Sequence, residues 1–550
     1  MQIRSDILRI YQKLHLWTGI CSGILLFICF FAGALTMFKT EIAAWASPPS
    51  HVLPQVPVER LDELLAKAQA KHPEISQGFT VHPDDPRSAP LTWSSAGRSR
   101  GVQLQTTEWQ ATLDGSGKLI SQQITPNKLA ELIDQLHRTA GIPGVIGHDQ
   151  LGVLVMGVVS VLYFLALVSG VIFLLPTLVK TLFALRRNKG ANRFWLDTHN
   201  LLGITALPFH IVIALTVVVF AFHDQFYDAL NQAVYKTPPS FMPAQSHTAP
   251  APQGLPNIAT VLQHANDYQA GYQARSLTFA GLDSPRPMVR IEMYSDSAMM
   301  RGPLADFLAL NPYNQNVMFS TMTQGSDGVY GRIVAVFFGL HFGSYAGMPG
   351  RWLYFILGLS GAMLFYSGNL LWLEKRRKLH KNRKEPLPQQ PKRVRVMAAL
   401  TVGCCLGSVV AIAASMLLGK WLYLWLTNVN YAYLWSYYGC FAAALAYCFY
   451  VGAARGAILL LRLASLLCIA MPLSSMIASV LPNLGLWAPQ TGATWLVDML
   501  AAISAWLLFV LARKTAARAQ FGQPDSIWAL PASQIANATE IAATPAKQPS

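Results

Sequence analysis

Histidine is the residue type with the most chemical potential in this chain; there are 13, and their placement says more than their number. A histidine inside lipid costs free energy unless its ring nitrogens are used, so an intramembrane histidine is by default a functional residue. His15, His199 and His210 lie within or at the ends of long apolar stretches, and His137 and His341 stand just before two others. The positions repeat. His15-Leu-Trp-Thr-Gly19 is matched by His199-Asn-Leu-Leu-Gly203, and Leu136-His137 with Ala140-Gly-Ile-Pro-Gly144 is matched by Leu340-His341 with Ala346-Gly-Met-Pro-Gly350. On one continuous helix His199 and His210 would return to within roughly 20° of the same face about 16 Å apart, which offers imidazoles at two depths. Neutral imidazole is a common ligand of haem iron, and a bis-histidine site leaves no vacant position, which suits electron transfer. Gly19, Gly23, Gly33, Gly203, Gly358, Gly361 and Gly368 supply the small residues that a flat macrocycle needs between helices. A single interfacial histidine is more often an ordinary hydrogen-bonding residue; the matched pairs raise four of these above that reading. His210 has no counterpart in the first copy, where Leu26 stands at the same offset.

Other candidates are weaker. His148 and His223 read as interfacial, and His51, His72, His82, His247, His264 and His380 as solvated. Asp498 reads as an interfacial hydrogen-bonding group, and Met156, Met299, Met300, Met318 and Met322 as packing residues. All seven cysteines lie in apolar stretches, with no C-x-x-C-H for covalent haem and no C-x-x-C pair for zinc, so any cofactor must be held another way. With no G-x-G-x-x-G and no flavin or nicotinamide domain, electrons would have to come from another protein or a membrane quinol.

The elements that must hold these histidines are membrane helices. With 53% hydrophobic and 13% charged residues and a mean hydropathy of +0.33, the composition excludes a water-soluble enzyme. Eight stretches are long enough to span, roughly 14–38, 150–176, 196–222, 350–373, 396–426, 431–453, 456–481 and 494–512. The first is too long for a signal peptide and reads as an uncleaved anchor. The net charge of +15 is concentrated in basic runs at 180–193 and 374–395, between apolar stretches, which is a topology signal and not a nucleic-acid footprint. The positive-inside rule then places both termini in the cytoplasm and residues 47–147 and 223–345 outside, in the periplasm of a Gram-negative cell. Trp421, Trp425, Tyr431, Tyr433, Trp435, Tyr437 and Tyr438 would form an aromatic belt.

The expected fold is therefore mainly α and polytopic: two tandem span-loop-span repeats in the same orientation, then a C-terminal four-helix membrane region over 396–512. Segments 1–46, 148–222 and 346–395 carry the first four spans with their basic linkers, and 513–550 reads as a disordered tail. Each outside loop has α+β character. The first predicts helices at 58–71 and 127–137 and strands near 78–82, 103–113 and 118–123 around an Asp114-Gly-Ser-Gly117 turn; the second predicts a helix at 257–268 and strands near 274–279, 287–294 and 305–310.

The repeated Leu-His motifs, the Asp-Gly hairpin and the spans carrying Ser169-Gly170 and Ser367-Gly368 resemble the PepSY-associated transmembrane family over roughly residues 8–377. Its iron-regulated members include inner-membrane siderophore reductases of the ferrioxamine-reductase type. The resemblance implies a bacterial inner-membrane protein holding two b haems on His15, His137, His199 and His341, with PepSY-like loops and ferric-siderophore reductase activity. His15 would pair with His199 and His137 with His341, with His210 taking part beside the second pair. The partners implied are a ferric siderophore, the bilayer and an electron donor. Two rival readings stand beside it: a non-redox siderophore or iron transporter, and a PepSY-type regulatory or scaffold protein.

Overall fold

The computed structural model describes residues 4–49, 53–85, 87–94, 102–147, 149–178, 185–186, 190–234, 254–298, 300, 302, 305–322, 328–380 and 384–530. The chain begins with helices α1 (Ser5–Thr36) and α2 (Lys39–Ala46). Helix α3 (Leu61–Lys71) and strands β1 (Gly78–Val81), β2 (Leu91–Trp93), β3 (Glu108–Leu113) and β4 (Leu119–Ile124) follow, then α4 (Leu129–Thr139), a short hairpin of β5 (Val145–Ile146) and β6 (Asp149–Gln150), and α5 (Leu151–Leu174). The second repeat has α6 (Ala191–Thr205), α7 (Leu207–Val234), α8 (Ile258–Tyr268), β7 (Gln273–Ala280), β8 (Met288–Tyr294), β9 (Asp306–Leu310), β10 (Val317–Ser320), α9 (Gly328–Phe342) and α10 (Gly347–Arg376). Helices α11 (Lys392–Leu422), α12 (Asn430–Val451), α13 (Ala453–Val480) and α14 (Gly492–Phe521) close the chain.

Eight of the described helical segments are apolar and long enough to cross a bilayer, one for each stretch read from the sequence, so this is a multi-pass membrane protein. The third differs in detail. Its helix stops at Thr205, Ala206 leaves helical geometry (φ −101°, ψ 11°), and α7 restarts at Leu207. Pro208 in the new first turn has no N–H to continue the older ladder, which accounts for the break. His199 and His210 thus sit on two helices, and the single-face spacing expected for them does not apply.

The structure divides into two compact units, one of residues Met1–Ala46, Leu129–Ile211 and Leu357–Ser550, the other of Ser47–Lys128 and Val212–Ile356. In the second unit the two long loops between spans both contribute to one eight-stranded antiparallel sheet, ordered β10-β9-β8-β7-β1-β2-β3-β4. The join between loops is β1 against β7, from Gly78 opposite Ala280 to Val81 opposite Leu277, with the Thr80 and Thr278 hydroxyls 3.2 Å apart. Alternation along the strands turns Phe79, Val81, Leu277, Phe279, Val289 and Ile291 inward to a core shared with Leu61, Leu64 and Leu65 of α3 and Val261 and Leu262 of α8. The β3–β4 turn is fixed by Asp114, whose Oδ1 accepts from the backbone N–H groups of Ser116 and Lys118. Strands β2, β5, β6 and β10 lie outside the expected runs, and the strand expected from 103 begins only at Glu108.

The two loops are also tied through Asp62 on α3, whose Oδ1 accepts from the Ile258 N–H at 2.7 Å, one of the orphan donors at the start of α8. Asp62→Ala is expected to cost about 1 kcal/mol, the usual value of a helix N-terminal acceptor. Limited proteolysis of the full-length protein should cut the sheet unit earlier while the membrane unit is unaffected.

In the C-terminal region α14 runs on to Phe521, beyond the apolar stretch, and the chain folds back, with Leu530 N–H donating to Ala519 O and Trp528 buried against α11 and α13 residues. The expected tail from 513 is thus ordered to 530; residues 531–550 lie outside the described ones. Glu374 anchors this return, bonded by Arg518 at 2.9 Å and approached by Arg377 at 3.5 Å. The expected aromatic belt is partial: Trp425 and Trp435 are exposed, whereas Tyr433 and Tyr437 are core residues.

Candidate functional site

In the first unit α1 and α6 bring His15 and His199 together, ring centres 6.1 Å apart and planes at 73°. Each ring is held from behind by the last span of its own repeat. His15 Nδ1 is 2.8 Å from Ala166 O on α5; His199 Nδ1 is 3.1 Å from Leu364 O and 3.2 Å from Ser367 Oγ on α10. A carbonyl only accepts, so in both rings Nδ1 carries the hydrogen and the lone pair is left on Nε2.

The two cradles have the same construction. The accepting carbonyl stands three residues before the serine of each Ser-Gly pair, and the glycine following the serine lies under the ring. A Cβ on Gly170 would stand 2.9 Å from His15 Cε1 and Nδ1, and one on Gly368 3.3 Å from His199 Cε1. Ser169 and Ser367 return their hydroxyls to these same carbonyls, Ala166 O at 3.2 Å and Leu364 O at 2.8 Å. The Ser-Gly pairs were legible in the sequence only as landmarks of the repeat; their constant offset from the histidine motif was the available signal of a cradle.

A cavity of about 410 Å³ opens beside the two rings, its wall including Gly19, Tyr163, Gly203 and Phe365, with Lys13 and Lys375 also on it. That is within the size range of cofactor sites, about 300–1,000 Å³. Among the described residues no three His, Cys, Asp or Glu side chains gather as a site for a bare metal ion.

His210, at the start of α7, is fully buried, and among the described residues neither of its ring nitrogens has a hydrogen-bond partner. Phe30, Tyr163 and Phe209 surround it at 5.9, 6.0 and 5.5 Å between ring centres, and the Tyr163 hydroxyl is likewise unpartnered. Each orphaned buried polar group costs about 1–3 kcal/mol.

His137, on α4 in the same unit, packs on α1. Its Nδ1 is 2.9 Å from Cys29 O, the Cys29 thiol donates to His137 O at 2.8 Å, and a Cβ on Gly33 would stand 2.5 Å from its ring. His341, on α9, belongs to the other unit, where its Nδ1 is 2.8 Å from Thr216 Oγ1 and its ring 5.0 Å from that of Phe220. Of the four repeated histidines, His15 and His199 meet; His137 and His341 are each tied to the helix beside them.

The remaining candidates separate. His223 lies near the surface beside Asp224, 3.0 Å away. His72, expected to be solvated, is buried between Trp93 and Trp109 with Nε2 3.2 Å from Ser121 Oγ; the packing of α3 on the sheet encloses it. His82 is also enclosed, and burial pushes its pKa down. Asp498 is buried and accepts from Trp45 Nε1 at 3.0 Å. Met156, Met300 and Met322 are buried and Met318 is exposed. His51, His148, His247 and Met299 lie outside the described residues.

No curated protein matches the chain. The family model of the PepSY-associated TM region matches residues 12–375, which takes in both repeats and all five histidines singled out above but none of α11–α14. On that match, and with its repeated histidine hairpins and two-loop sheet, the chain belongs to the PepSY-associated transmembrane family.

Proposed function

We propose that this protein is a di-haem b oxidoreductase of the bacterial inner membrane, with both termini cytoplasmic, that carries electrons outward to reduce ferric siderophore in the periplasm. The observation that carries the reading is the His15–His199 pair. Imidazole nitrogens bind first-row metals at about 2.0–2.1 Å, so two rings on opposite sides of one metal have their centres roughly 6 Å apart. The observed 6.1 Å fits that spacing, with both rings oriented by Nδ1 and a cavity beside them.

Haem, when bound, would supply one-electron chemistry here. His15 and His199 fix its place, while Gly170 and Gly368 let the rings lie flush against their helices. His137 would serve as a ligand of the second haem, and the His210 nitrogens, without a partner among the described residues, fit a residue that takes part in cofactor binding. Outside the membrane, the sheet built from both loops offers the surface for the chelate. Reduction releases iron because hard oxygen donors hold the ferric ion more strongly than the softer ferrous ion. The donor is a quinol or a redox protein.

Purified protein from haem-replete cells should show b-type bands in a dithionite-reduced minus oxidised spectrum. The reduced protein should then yield ferrozine-trapped Fe(II) from a ferric hydroxamate. A colourless preparation would refute the haem reading; bands that persist with no Fe(II) formed would refute the reductase reading alone.

A further inference from the structure

We infer that the C-terminal helices α11–α14, which lie beyond the family match, position His137, so that they act as a buttress for one haem ligand. This rests on the ligand role proposed for His137. Two contacts carry it, both within the first unit.

The first lies immediately after His137. The chain leaves α4 through Ala140 and Gly141, both with positive φ (50° and 80°), a conformation that costs a non-glycine residue free energy and persists only where the surroundings impose it. What holds it from outside the repeat is α12: the Tyr438 hydroxyl donates to Gly141 O at 2.9 Å, and Tyr437 Oη would lie 3.5 Å from a Cβ on Gly141. Ile133 and Leu136 of α4 share one buried apolar cluster with Tyr433 and Tyr437 of α12, Met416 of α11 and Val497 of α14.

The second acts through α2, which precedes the first outside loop and also packs on α4. Its Trp45 donates Nε1 to Asp498 Oδ1 at 3.0 Å, accepts at its carbonyl from Trp487 Nε1 at 2.9 Å, and lies under the Lys420 ammonium, 4.8 Å from the ring centre. Lys420 and Asp498 are 1% and 2% exposed, and Asp498 is near enough to act on Lys420 electrostatically. Lys420 also donates to Ser475 Oγ at 3.0 Å, so the ammonium and carboxylate tie α2, α11, α13 and α14 at one point. Buried charges of opposite sign stabilise each other through space, and removing one leaves the other less compensated. Tyr438 therefore holds the C-terminal end of α4, which carries His137, and the Lys420–Asp498 point holds α2, which packs on α4.

The test uses the full-length protein. Tyr438→Phe removes one hydroxyl and keeps the ring packing. It should retain both haems and elute as wild type, yet one of the two midpoint potentials should shift, and that haem should pass to apomyoglobin about 10-fold faster, as for other losses of support behind a ligand. Asp498→Asn, which keeps the acceptor for Trp45 and removes only the charge, should move the same haem in the same direction. His137→Ala identifies that haem by its loss. If His137→Ala loses one haem while both other variants keep wild-type potentials and transfer rates, the buttress is refuted and the ligand reading stands. If His137→Ala keeps both haems, the ligand reading fails and the buttress with it.

Discussion

Replacing His199 with alanine should remove one of the two b-type haems and reduce electron delivery to a ferric chelate to background. The loss should be that complete because, on the proposed pairing, the ring is one of two protein donors, facing His15 at 6.1 Å, and among the described residues no His, Cys, Asp or Glu makes a third with them. The same loss is expected from His15→Ala. The double variant should look like either single one, since a bis-imidazole site lost once has nothing further to lose. Pyridine haemochrome quantitation per chain, with the reduced spectrum, measures this. Full haem content in both single variants would refute the pairing.

The glycines under the rings give the second large effect, and it should be graded. A methyl added at Gly33 would lie 2.5 Å from His137 Nδ1, at Gly170 2.9 Å from His15, and at Gly368 3.3 Å from His199; Gly439 on α12 has open space. The ring nitrogens at these positions are already hydrogen-bonded to neighbouring helices, so the imidazole cannot yield without losing that bond. Haem content and affinity should therefore fall most in Gly33→Ala, less in Gly170→Ala and least in Gly368→Ala, with Gly439→Ala equal to wild type. Overpacking of this kind costs about 1–3 kcal/mol, enough for roughly a 5- to 150-fold change in an equilibrium constant. Equal damage at Gly439 and Gly33 would show that the series reports helix folding and not ring placement.

The spans and the repeat were legible because a bilayer imposes a 20-residue apolar run on each crossing and leaves the histidine and glycine landmarks conspicuous. The break at Ala206 was hidden, since Pro208 can open a helix as readily as kink one. The join of β1 to β7 was hidden for a different reason: strand alternation reports which face is buried but says nothing of which neighbour is paired across 196 or more residues. Within the site the histidines were legible and their cradles were not. A backbone carbonyl such as Ala166 O or Leu364 O has no sequence signature, and the glycine beneath a ring looks like any other glycine in a membrane helix. His72 was misread because a polar residue after an amphipathic helix looks solvated until the sheet it packs on is known.

The stitching of β1 to β7 has a mechanical corollary. Alternating-access transport needs two repeats to rock against each other, exposing a central site first to one compartment and then to the other. Here the extramembrane parts of both repeats share an unbroken main-chain ladder, from Gly78–Ala280 to Val81–Leu277, with a carboxylate from one repeat capping a helix of the other. Such rocking would shear this seam at every cycle, which favours the proposed electron carrier over a rocking transporter.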